Sequence, residues 1–186
     1  MQLELHQLSL RYEALRRRHP AQERALLASL AELGQQSPIV VVSEPGGAVD
    51  QFVLIDGYKR VRALKRLARD TVQSLCWQVS ELEALLLERS LRCTSEDALD
   101  QAWLLCELTG HFGLSMEQLA ARFARSTSWV SRRLALVQAL PEAVQERVRA
   151  GTLSAHAAMK YLVPLARANR QAAAQLAATI TSLKLT

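Results

Sequence analysis

The chain has 186 residues, 49% of them apolar and 22% charged, the proportions of a globular protein with room for one large or two small domains. A formal net charge of +5 favours an anionic partner. The aromatic content of 5% argues against a platform of stacked rings for single-stranded nucleic acid. The first residues lack an apolar signal core and no uncharged run reaches about 20 residues, so a cytoplasmic location with no membrane contact is expected. Cys76, Cys93 and Cys106 form no CxxC pair and sit within apolar patterns. They read as buried, inert thiols, with neither a disulfide framework nor a metal site.

Leu3, Leu5, Leu8 and Leu10 alternate as in an opening strand and its exit, and the basic run Arg16-Arg17-Arg18-His19-Pro20 ends any helix there. Leu26, Leu27, Leu30 and Leu33 have helical spacing, with Gly34 as the stop. Pro38 opens the β-branched run Ile39-Val42; Glu44-Pro45-Gly46-Gly47 is a turn, and Phe52-Ile55 is the returning strand. Asp56-Gly57 ends that strand, and Tyr58 to Leu67 reads as a helix crowded with cations. A further strand is expected over Val72–Val79. Ser80 and Glu83 then cap a helix to about Leu91, and Thr94–Phe112 forms a long amphipathic helix. Beyond that point every element is helical, including Glu142–Arg149, Ser154–Leu165 and an Ala-rich stretch from Arg167 to Ile180. Mixed strands and helices followed by helices alone predict an α+β fold, with a small mixed-sheet domain over 1–92 and an all-α domain over 93–186.

Two stretches carry chemistry. A strand, Asp-Gly and a cation-rich helix start make an anion site: free N–H groups and the helix dipole attract phosphate, and Gly57 permits its close approach. Lys59, Arg60 and Arg62 would close around it, although a solvated basic face fits the same pattern equally well. Glu88 and Arg92 end the next helix four residues apart, where they can simply pair.

The second stretch is Leu114–Pro141. Ser115 and Gln118 form a capping box, and Leu119, Ala120 and Phe123 give a first apolar face. Ala124-Arg125-Ser126 is a short break with small Ala124 where two helices pass closely. Ser126 caps a second helix buried through Val130, Leu134 and Val137. Ser128, Ser131 and Arg132 fall on its opposite face, Thr127 lies near its N-terminus, and Trp129 and Arg133 sit on its flank. A helix-turn-helix needs this arrangement to lay its second helix in a DNA major groove, though a plain helical hairpin with a solvated basic face shares it.

Taken in order, these pieces resemble the ParB partition proteins, whose first domain is of the ParB/sulfiredoxin type. The matching segments are Ser37-Pro38-Ile39-Val40-Val41, then Gly57-Tyr58-Lys59-Arg60-Val61-Arg62-Ala63 against a G-E-R-R-x-R-A box, then Glu88-Arg89-Ser90-Leu91-Arg92 against E-N-x-x-R. Gly113-Leu114-Ser115 with Leu119-Ala120 follows, then Ser126-Thr127-Ser128-Trp129-Val130, Leu140-Pro141-Glu142 and Gly151-Thr152-Leu153-Ser154-Ala155-His156-Ala157. The resemblance implies sequence-specific binding of double-stranded DNA through Arg125, Ser126, Thr127, Ser128, Ser131, Arg132 and Arg133, with Thr127, Ser128, Ser131 and Arg132 at base edges and Arg125 and Arg133 on phosphates. It further implies a homodimer, a partition ATPase as partner, association with a nucleoid or plasmid, and CTP with Mg²⁺ bound by the first domain through Gly57, Tyr58, Lys59, Arg60, Arg62, Glu88 and Arg92.

The chain departs from that pattern at informative places. Tyr58 replaces the box glutamate that serves hydrolysis, and a phenol with pKa about 10 is a poor carboxylate at neutral pH. Arg89 replaces the asparagine that supports the metal-bound triphosphate, and its charge repels Mg²⁺. The family's N-P-x-Q-x-R box is hard to recognise in Ser9–Arg16. Absent or very slow CTP hydrolysis is therefore expected, with nucleotide binding weak or metal-independent, and no residue is assigned a catalytic or metal-binding role. The competing reading is a nucleotide-dependent enzyme of the same superfamily, such as a CTPase, nuclease or phosphotransferase. Sulfiredoxin chemistry lacks its cysteine beside Gly57, and cations crowd the candidate carboxylates Asp56 and Glu88.

Overall fold

The computed structural model describes residues 1–13, 20–43, 51–91, 98–150 and 152–182, with side chains through residue 179. The chain divides into two compact units, Met1–Thr94 and Ser95–Thr186.

The first unit is built on five strands: β1 (Gln2–Glu4), β2 (Leu8–Ser9), β3 (Ile39–Ser43), β4 (Phe52–Asp56) and β5 (Thr71–Cys76). Their order is β1-β5-β3-β4-β2. β1 runs antiparallel to β5 and β3 antiparallel to β4, while β3–β5 and β2–β4 are parallel. The expected single opening strand is thus two short ones, parted by a 3-10 turn at Leu5–Gln7, and they form the opposite edges of the sheet. In a flat sheet those edges would lie about 19 Å apart at the usual strand spacing. The segment from Glu4 to Leu8 reaches at most about 14 Å even when extended. The sheet therefore curls, and Leu5 N–H donating to the Asp70 carbonyl at 2.8 Å pins the curl.

Ile39, Val41, Val42, Val53, Leu54 and Ile55 are fully buried, as near-continuous β-branched and aliphatic runs require of central strands. Around them lie α1 (Pro20–Leu33), α2 (Tyr58–Arg66) and α3 (Glu81–Leu91). Gly34, at φ +71°, ends α1 as expected. Ser80 and Glu83 cap α3 reciprocally, with Glu83 N–H to Ser80 Oγ at 3.3 Å and Ser80 N–H to Glu83 Oε2 at 3.0 Å. β5 stops at Cys76, short of the expected Val79. The turn expected at 44–47 and the start of the helix expected from Thr94 lie outside the described residues.

The second unit is helical: α4 (Ala98–Gly110), α5 (Met116–Arg122), α6 (Thr127–Gln138), α7 (Glu142–Arg149), α8 (Ala155–Ala157), a π-helical turn (Ala158–Leu162), α9 (Val163–Ala168) and α10 (Arg170–Ser182). Leu99, Ala102, Leu136, Leu140, Val144, Leu162 and Ala173 share one core. The wide turn precedes Pro164, which has no N–H to return to the carbonyl of Lys160. Among the described residues no helix is long and apolar enough to cross a membrane.

Candidate nucleic-acid interface and anion site

The helix pair α5–α6 is fixed by local chemistry. Ser115 Oγ accepts from Gln118 N–H at 3.2 Å and Gln118 Oε1 accepts from Ser115 N–H at 2.8 Å, a closed capping box. A hydrogen bond from its own backbone N–H, with another from the Ser115 hydroxyl, holds the Glu117 carboxyl below its ordinary range. Between the helices, Arg125 N–H reaches the Ala120 carbonyl at 2.9 Å and Ala124 N–H the Ala121 carbonyl at 3.1 Å. These bonds form a Schellman turn with Ala124 left-handed at φ +50°. The turn is thus set by backbone hand at Ala124, beyond the close helix approach that the sequence suggested. Ser126 Oγ then caps α6, accepting from Trp129 N–H at 3.2 Å.

Arg125, Ser126, Thr127, Ser128, Ser131 and Arg132 are all exposed, while Val130, Leu134, Ala135 and Leu136 are buried. The turn and the N-terminal half of α6 therefore offer a polar face with two arginines, Arg125 and Arg132, held from behind by α4. Arg133, expected on a phosphate, also makes contacts within its own unit. It is half-buried, lies 5.3 Å from the centroid of Trp129, and its Nη1 meets Met159 Sδ at 3.3 Å. Arg125 lies 5.9 Å from the same ring. Trp129 to Arg133 is an i,i+4 pair, the one sequence signal that pointed to this stack. Gln145, which the sequence left unmarked, is buried on α7 and donates to the carbonyls of both Val137 and Leu140 at 2.9 Å. It satisfies acceptors that the end of α6 leaves open.

In the first unit, Gly57 caps α2 at φ +107°, and a Cβ there would stand 2.5 Å from Ile39 Cγ2. Only glycine fits. Tyr58 is buried, and its hydroxyl donates to the Leu54 carbonyl at 2.5 Å. The side chain in the place of the box glutamate thus turns back onto β4. The cations expected to close on a phosphate are engaged within the unit. Lys59 Nζ donates to Gln22 Oε1 at 2.6 Å. Arg60 pairs with Asp56 at 3.0 Å and donates to the carbonyls of Ser37 and Pro38. Arg62 pairs with Glu13 at 2.9 Å and with Glu23 at 2.6 Å. Nothing local in the sequence marks the Glu23 partnership, because the two residues meet only when α1 packs on α2.

The stretch Ser9–Arg16, where no box was recognisable, contributes a cluster of its own. Tyr12 is buried and its hydroxyl donates to Glu81 Oε1 at 2.5 Å, joined by Arg11 at 3.2 Å. Glu88 is buried on α3, and Arg92 lies outside the described residues. Among the described residues no three His, Cys, Asp or Glu side chains gather where they could hold a metal ion.

Against known proteins, the model for the ParB N-terminal domain matches residues 1–89 and that for the ParB HTH domain residues 95–186. Stage 0 sporulation protein J of Bacillus subtilis is 30% identical over 131 residues, covering 69% of this chain and 45% of the relative. The chain thus spans less than half the length of that relative. A Pnob8-like ParB-N domain aligns with 86% of this chain and 77% of its own at a TM-score of 0.50 and 13% identity, a likeness of fold. The C-terminally truncated chromosome-partitioning protein ParB from Caulobacter crescentus, solved with the centromeric parS site, aligns over 100% of this chain and 94% of its own. Its identity is 24% and its TM-score 0.47. With both domain models matched in order, the chain belongs to the ParB family.

Proposed function

We propose that this chain is a sequence-specific double-stranded DNA-binding protein of the ParB type, acting in partition of a chromosome, plasmid or mobile element or in related regulation. The observation that carries the reading is the exposed polar face of α6, where Thr127, Ser128, Ser131 and Arg132 stand out from a capped, core-anchored helix. A major groove admits such a helix, and an arginine there can donate two hydrogen bonds to guanine, contributing about 1–3 kcal/mol of discrimination. Arg125, at the turn, is placed to hold a phosphate. The match to the ParB HTH domain over residues 95–186 supports the same reading.

The first unit takes the role of a nucleotide-responsive module, in keeping with its match to the ParB N-terminal domain. CTP would meet the N-terminus of α2, where free backbone N–H groups and the helix dipole attract phosphate. With the Tyr58 hydroxyl buried against Leu54, neither a base nor a metal-facing carboxylate is offered from that position, and the module binds without appreciable hydrolysis. A homodimer, a partition ATPase and a place on the nucleoid or plasmid complete the proposal.

Selection of bound duplexes from a random pool, with and without CTP, tests it. One enriched motif is expected. Arg132→Ala should relax preference at one base pair, and Arg125→Ala should weaken all sequences alike. Uniform loss of affinity in both variants, or no enrichment, overturns the assignment.

A further inference from the structure

Arg125 stands at the turn between α5 and α6 with its side chain exposed. Its backbone is already fixed: the N–H is committed to the Ala120 carbonyl at 2.9 Å, and the next residue, Ser126, caps α6. What remains to be ordered when a phosphate is gripped is the long side chain, and ordering such a chain costs affinity.

Trp129 lies one turn along α6. Its ring centroid is 5.9 Å from the Arg125 guanidinium carbon, within the range of cation–π attraction. The half-buried indole is itself held. Buried Phe123 stands 6.0 Å away, centroid to centroid, at an interplanar angle of 41°, a spacing that aromatic pairs favour. The Arg133 guanidinium carbon lies 5.3 Å from the same ring, and Arg133 Nη1 meets Met159 Sδ at 3.3 Å. One ring thus links the buried side of the unit to the exposed turn. A guanidinium drawn to such a ring keeps its in-plane N–H groups for phosphate oxygens. An aliphatic side chain at this place could pack on Phe123, but it would offer the guanidinium no π-face.

We propose that Trp129 is a positioning residue for DNA backbone binding, preordering the Arg125 guanidinium for a phosphate and acting through Arg125 rather than by its own contact with DNA. The role rests on the reading of α6 as the DNA-reading helix and adds how the phosphate contact at its start is held.

The test is a double-mutant cycle on the full chain, read as Kd for the duplex enriched by selection and for an unrelated duplex. Arg125→Ala, Trp129→Leu, the double variant and Trp129→Phe are compared with the wild type after circular dichroism has verified folding. Trp129→Leu is expected to weaken binding to both duplexes by the same factor, about three- to tenfold, leaving sequence preference unchanged. In the Arg125→Ala background the same exchange should change affinity less than about twofold. Trp129→Phe, which keeps a ring, should stay within about twofold of the wild type. A merely structural role would disturb the face that carries Ser131 and Arg132, and so lower the preference. Nitrogen relaxation at arginine Nε in the free wild-type protein needs no variant: Arg125 should be more ordered than Arg122, which is exposed on α5. Equal order at the two arginines, additive losses in the cycle, or lost preference in Trp129→Leu overturns the positioning role while leaving DNA binding standing. No enriched duplex for the wild type overturns the reading of α6 together with it.

Discussion

The guanidinium of Arg133 lies 5.3 Å from the ring centroid of Trp129, four residues before it on α6. The same guanidinium meets Met159 in the π-helical turn. An arginine that could have reached for a phosphate instead ties the candidate reading helix to the helices behind it. Cation–π pairs contribute up to about 2 kcal/mol when desolvated. Arg133→Ala is expected to lower the unfolding free energy by about 1–3 kcal/mol through the lost pair and stem packing. The salt dependence of DNA binding should stay unchanged, whereas Arg125→Ala should reduce the slope by about one ion. Denaturant titration and binding isotherms at several salt concentrations separate the two roles.

Ala124 has a left-handed backbone at φ +50°, a conformation that costs a residue with a Cβ about 1–2 kcal/mol. Glycine removes that strain but gives the unfolded chain extra freedom, costing about 0.4–1 kcal/mol. The strain term is the larger, so Ala124→Gly should stabilise the protein by about 0.5–1 kcal/mol. Ala124→Val should destabilise it. Urea melts of the three proteins read the order directly.

Gln145→Leu keeps the bulk of a buried side chain but strands the acceptors it serves at Val137 and Leu140. Leaving a buried acceptor unmet costs about 1–3 kcal/mol. A loss in that range is expected, with faster hydrogen exchange at the C-terminal end of α6. A change below 0.5 kcal/mol, on the order of a typical surface substitution, would show that water replaces the amide.

Tyr58→Glu restores the family's box residue by sequence but not by position. The side chain would be carried into the buried pocket beside the Leu54 carbonyl, where a carboxylate meets an acceptor and no solvent. Loss of stability without any gain in CTP hydrolysis is expected, measured by thermal unfolding and phosphate release. Tyr58→Phe, which removes the hydrogen bond to the Leu54 carbonyl, should cost about 1 kcal/mol.

Burial, aided by neighbouring Glu107, pushes the Cys106 thiol up to about 11. The protonated form is favoured in the fold, so its stabilising contribution is complete below the ordinary thiol pKa. It is lost as pH rises from about 9 towards 11. Stability should fall across that window, and Cys106→Ala should flatten the fall. At pH 8 the native thiol should react slowly with alkylating reagents, because little thiolate is present.

The sequence by itself determined what depends on neighbours along the chain. The β-branched run at Ile39–Val42, the Ser115–Gln118 and Ser80–Glu83 capping boxes, the Gly34 stop and the polar face of α6 all follow from residues within one turn or one strand. So do the order of the segments and with it the family. Only the tertiary structure decided what depends on chain closure. Residues 3–10 alternate like one strand, yet the curl of the sheet divides them between its two edges. Lys59 and Arg62 read as open phosphate ligands because their partners are invisible locally: Gln22 and Glu23 arrive only when α1 docks on α2, and Glu13 only when the opening segment wraps back. Arg133 likewise has its Trp129 neighbour written in an i,i+4 spacing, but Met159 reaches it only through the folding of the later helices. Short-range hydrogen bonding and periodicity are encoded over a few residues, whereas the partner of a long charged side chain is chosen by whichever distant element packs within its reach.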